Sequence, residues 1–104
     1  MEIVVRSRDI EVTAALRAHV ARKVRKLDRL LEGKGDGPAE VRLAVERGRH
    51  IAEVTMPLNG FLLRGEERGD DMYASVDHVI QKLERQLKKL RARGHRPRQQ
   101  NASS

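Results

Sequence analysis

The chain has 104 residues, no cysteine, and a formal net charge of +7 from 22 Lys+Arg against 15 Asp+Glu. That length holds one hydrophobic core, and the lack of cysteine excludes disulfide frameworks and thiolate metal sites. No run approaches the ~20 apolar residues of a membrane span, and MEIVVRSRD lacks the apolar centre of a signal peptide, so a cytoplasmic chain with no membrane partner is expected.

The first element is a β-branched run, Glu2 to Ser7, carrying Ile3, Val4 and Val5. Thr13 then stands as an N-cap, and Leu16, Val20, Val24, Leu27 and Leu31 recur at spacings of three and four, which predicts a helix over Ala14–Leu31. GKGDGP, from Gly33 to Pro38, cannot continue that helix and reads as a loop.

From Ala39 the period falls to two, with Val41, Leu43 and Val45 alternating against polar neighbours. A two-residue turn at Gly48-Arg49 and a type I′ turn at Asn59-Gly60 divide the stretch into three strands, the last being Phe61 to Glu67. The first turn sets Val45 opposite Ala52, Leu43 opposite Val54 and Val41 opposite Met56. The second sets Leu58 opposite Phe61 and Met56 opposite Leu63. All these apolar side chains then share one dry face, while Glu46, Glu53, Thr55, Arg64 and Glu66 share a wet one.

Asp70 and Asp71 open the last element as caps for a second helix running to about Arg91, with Met72, Val76, Val79, Ile80, Leu83, Leu87 and Leu90 as its apolar stripe. Gly94 stops it. The expected domain covers residues 1–93, and residues 94–104 form a polar, disordered tail. The order β-α-β-β-β-α, with two amphipathic helices over one face of a four-stranded sheet, is an α+β two-layer sandwich.

On a helical wheel the second helix turns Lys82, Arg85 and Lys89 away from its apolar stripe, and the first does the same with Arg22, Arg25 and Arg29. Lys26 lies beside that ridge and Lys23 at the edge of the buried face. Both ridges look outward from the same side, with few acids at i,i+4 to offset them.

Such a face suits a nucleic acid. Phe61 and Tyr73 are the only aromatics, and Phe61 belongs to the dry face, so bases are not stacked and folded RNA is recognised through phosphates and 2′-hydroxyls. The four histidines have no metal-ligand spacing and read as surface residues, and Asp77 reads as an ordinary helix residue. No phosphate-binding loop or catalytic constellation is present, so the expectation is a non-enzymatic chain with no cofactor, no metal and no small-molecule substrate.

The segments EIVVRSRDIEVTAALRAHV, AEVRLAVERGRH and AEVTMPLNGFLLRGEERGDDMYASVDHVIQKLERQLKKL resemble, over about Met1 to Leu90, the ribosome hibernation promoting factor family, also called ribosome-associated inhibitor or protein Y. The stretches DMYASVD and KLERQLKK carry the resemblance most specifically. It implies a fold like a double-stranded-RNA-binding domain, with binding to small-subunit rRNA near the decoding region. It further implies occlusion of the mRNA and tRNA sites, and ribosome hibernation in stationary phase or stress. The family's rRNA-contacting positions fall here on Lys23 and Lys26 of the first helix and on Lys82, Arg85 and Lys89 of the second. Arg22, Arg29 and Lys88 adjoin them.

The expected partner is the small ribosomal subunit, with the chain monomeric off the ribosome. Long members carry a second, dimerising domain, and this chain resembles the short forms or an isolated N-terminal domain. The other reading of the cationic face is a general module for duplex or structured RNA acting away from the ribosome.

Overall fold

Glu32 adopts the left-handed conformation at φ 53°, closing the first helix one residue before the glycine-rich loop begins. The computed structural model describes residues 1–92. In chain order they form β1 (Ile3–Arg8), α1 (Ala14–Leu31), β2 (Ala39–Glu46), β3 (Arg49–Leu58), β4 (Phe61–Gly69) and α2 (Met72–Ala92). The expected tail lies outside the described residues.

Thr13 caps α1 as expected, its Oγ1 accepting from the Leu16 amide at 3.1 Å. Asp71 caps α2, accepting from the Ala74 amide at 2.9 Å. Asp70 does not share that role. It is open to solvent and pairs instead with Arg49 across 3.5 Å.

The sheet runs β1-β2-β3-β4, with β1 parallel to β2 and the other neighbours antiparallel. Asn59-Gly60 turns with φ of 46° and 90°, and Leu58 opposite Phe61 and Met56 opposite Leu63 follow as expected. The other hairpin corrects the sequence reading. Its corner is Arg47-Gly48, at φ 52° and 77°, so Val45 faces His50, Leu43 faces Ala52 and Val41 faces Val54.

A type I′ turn needs positive φ at both corner residues and takes glycine most readily in second place, which moves the corner back by one. Each partner therefore moves by two. An even shift keeps every side chain on its face, so the dry face survives the change.

That dry face packs under both helices, with Val20, Val24, Leu27, Val41, Leu43, Val54, Met56, Ile80 and Leu83 fully buried. Gly65 lets α2 approach β4, because a Cβ there would stand 3.1 Å from Leu83 Cδ2 and 3.2 Å from Val79 Cγ2. No helix among the described residues is long and apolar enough to cross a membrane.

Candidate nucleic-acid interface

α1 and α2 lie side by side and run parallel. His19 meets Tyr73 and Asp77, Lys26 meets Glu84, and Arg91 reaches the Leu30 carbonyl and Glu32. Because both helices turn their apolar stripes to the sheet, their outer surfaces form one side of the molecule. Arg22, Arg25 and Arg29 of α1 and Arg85, Lys88 and Lys89 of α2 are exposed there. None of these six forms an ion pair among the described residues. Over one ridge, Arg22 to Arg29, the rise is about 10 Å, and helices pack about 8–10 Å apart, so the patch can meet several phosphates.

The other members of the expected site are held differently. Lys23 lies 3.6 Å from Asp77, Lys26 lies 3.5 Å from Glu84, and Lys82 leans off the ridge toward β4 to meet Glu67 at 3.3 Å. The wheel set Lys82 in line with Arg85 and Lys89. It occupies the flank of that ridge, half-buried, because Glu67 lies within reach of its ammonium. The offsetting acids thus come from other elements, where spacing along one helix does not reveal them. Such partly exposed pairs are weak, of order 0–1 kcal/mol, and an incoming phosphate can replace the carboxylate.

Asp77 is more than an ordinary helix residue. It accepts from His19 Nε2 at 2.7 Å, while Arg22 approaches His19 Nδ1 at 3.1 Å. Since a guanidinium only donates, Nδ1 accepts and the ring proton sits on Nε2 facing Asp77. The edge of Tyr73 packs on the same ring, with centroids 4.9 Å apart. His19 is therefore a seam residue between the helices, and not the surface histidine expected from its spacing. The sequence held one usable signal, since His19 lies on the flank of α1 next to Lys23.

His50 also departs from the surface reading, because its Nδ1 is buried and has no hydrogen-bond partner. The described residues hold no cluster of three or more His, Cys, Asp or Glu side chains able to bind a metal.

A family model described as Sigma 54 modulation protein / S30EA ribosomal protein matches residues 3–95. The chain belongs to this family. Among curated relatives, a ribosome hibernation promotion factor of Lactococcus lactis is 41% identical over 93 residues, 88% of this chain and 50% of that protein. The factor of the same name from Bacillus subtilis is 38% identical over 93 residues, 88% of this chain and 49% of its own length. The chain spans about half the length of these relatives.

The crystal structure of the Thermus thermophilus protein Y N-terminal domain superposes with a TM-score of 0.76 at 35% identity, covering 86% of this chain and 99% of that one. A Coxiella burnetii ribosomal subunit interface protein shares the fold at a TM-score of 0.77 and 24% identity, covering 88% of this chain and 99% of that one. The family resemblance and the α+β sandwich read from the sequence both hold.

Proposed function

We propose that this S30EA-family chain is a ribosome-associated inhibitor of translation, whose helical face docks on small-subunit rRNA near the decoding region and occludes the mRNA and tRNA sites. Idle ribosomes are thereby held in hibernation. The observation that carries this reading is the patch of six exposed cations on one side of α1 and α2, none of them paired among the described residues. The names of its curated relatives support a ribosomal partner for that patch.

Lys23, Lys26 and Lys82 join the six when rRNA phosphates displace Asp77, Glu84 and Glu67. Recognition is by shape, because Phe61 faces the core and Tyr73 packs on His19. Inhibition is steric and needs no catalytic step or cofactor.

Chemical footprinting of rRNA in small subunits, with and without the protein, tests the proposal. Protections should cluster at the A and P sites, and bound tRNA should be displaced. Protections elsewhere would overturn it. So would equal affinity for a free RNA duplex, which is the behaviour of a general RNA-binding module.

A further inference from the structure

The seam between α1 and α2 holds a titratable ring that sits among the docking cations. The His19 side chain is only 12% exposed and touches three residues. Its Nε2 donates to Asp77 Oδ1 at 2.7 Å, its Nδ1 accepts from Arg22 Nη2 at 3.1 Å, and Tyr73 packs on it edge-on. The same Asp77 oxygen also faces Lys23, whose ammonium lies 3.6 Å away. One carboxylate oxygen thus serves an imidazole and an ammonium at once.

A second proton on the ring changes these contacts in one direction. Nδ1 becomes a donor, so it can no longer accept from a guanidinium, and two cations then repel each other across the same short gap. Arg22 must swing outward. At Nε2 the contact with Asp77 becomes a full ion pair, and the carboxylate, neutralised by the ring, holds Lys23 less tightly. Lys23 is freed as well.

We propose that His19 is a positioning residue of the docking face, whose second proton turns Arg22 and Lys23 toward rRNA phosphate, so that docking tightens as pH falls. The inference rests on the proposed function and deepens it, because it names the group that regulates that surface. An added charge, a released guanidinium and a released ammonium all favour a polyanion, so the sign of the effect is fixed. By reciprocity, docking loads the ring with a proton.

The charged groups facing the ring are Asp77 from α2 and Arg22 and Lys23 from α1, while Tyr73 brings only its ring edge. Among the described residues no further charged side chain bonds to His19 or Asp77. His78 follows Asp77 in the chain and is exposed, which makes it the control for histidine charge elsewhere on the same helix.

The test has two arms. In the first, the free, isotopically labelled chain is titrated across the histidine range, from about pH 8 to about pH 6, and NMR follows the His19 ring nitrogens with the side-chain signals of Arg22 and Lys23. The ring should carry its single proton on Nε2 at the alkaline end, and both neighbours should move with the His19 midpoint. In the second arm, affinity for small subunits is measured over the same range at fixed salt. It should rise about tenfold toward the acid end, the equivalent of 1.4 kcal/mol.

His19→Gln keeps an amide that can donate to Asp77 but cannot titrate, so it should flatten the profile, whereas His78→Gln should leave it standing. Signals of Arg22 and Lys23 that ignore the His19 titration would overturn the inference. So would a flat profile for the unaltered chain, or one that only His78→Gln removes. Absence of docking at every pH would instead sink the proposed function, and the first arm would still decide whether His19 governs its two neighbours.

Discussion

The two faces of this domain are both rich in cations and treat them in different ways. On the sheet, five of six arginines have acid partners: Arg6 and Arg42 on Glu40, Arg49 on Asp70, Arg64 on Glu53 and Arg68 on Glu66. On the outer helical surface, Lys23, Lys26 and Lys82 are paired, while Arg22, Arg25, Arg29, Arg85, Lys88 and Lys89 have no acid partner among the described residues. Under the proposed function, compensation separates the docking face from the passive one. A paired arginine presents a neutral fork, while an unpaired ridge presents a field to which a polyanion responds.

Reversing charge on the two faces should break this contrast most sharply. The quadruple variant Arg22→Glu, Arg29→Glu, Arg85→Glu and Lys89→Glu should lose co-sedimentation with small subunits by a thousandfold or more, on the order of what neutralised phosphate contacts supply. Arg6→Glu with Arg64→Glu should change it by less than about threefold, because those side chains are already paired and face away. Circular dichroism should find both variants folded. Equal losses from both faces would end the comparison.

Salt dependence sharpens it next. Each single Arg→Gln change among Arg22, Arg29 and Arg85 should lower the slope of log affinity against log salt by about 1, whereas Arg64→Gln should leave the slope where it was. Binding measured between 50 and 200 mM salt, on the range of about fourfold that such slopes need, reads this directly.

A smaller effect of opposite sign is expected at the seam between the helices. Glu84→Gln and Asp77→Asn release Lys26 and Lys23 for phosphate, so each should tighten binding about two- to fivefold, the size of a partly exposed ion pair. Asp77→Asn also weakens the contact with His19, so its melting temperature should fall while that of Glu84→Gln changes less.

The smallest effect belongs to the sheet. The Arg6 hydrogen bond, opposed by partial desolvation and supported by the charge of Arg42, holds the Glu40 carboxyl below its ordinary value. A carboxyl depressed in the folded state contributes stability that is present above its unfolded pKa and is lost as pH falls through the folded one. Thermal melts should therefore show a slight loss below the usual glutamate range that Glu40→Gln removes, and RNA binding at neutral pH should be unaffected by that variant.

Much of this was legible in the chain. The span of α1, the Thr13 cap and the Asn59-Gly60 corner follow from patterns confined to a few residues, and so does the single dry face. The Arg47-Gly48 corner was misplaced by one, because two adjacent residue pairs both contain the glycine and only the backbone angles choose between them. In the candidate site, the outward direction of Arg22, Arg29, Arg85 and Lys89 followed from the wheel. The pairing of Lys23, Lys26 and Lys82 did not.

The sequence by itself determined that two amphipathic helices would cover one face of a sheet with their cations turned outward, since periods of two and 3.6 are local and each element carries its own. Only the tertiary structure decided which of those cations stay uncompensated. The acids that neutralise them lie far away in sequence, as Asp77 does from His19 and Lys23, and Glu84 from Lys26. Electrostatic partners are chosen by distance in space, so the charge that remains free belongs to the assembled molecule.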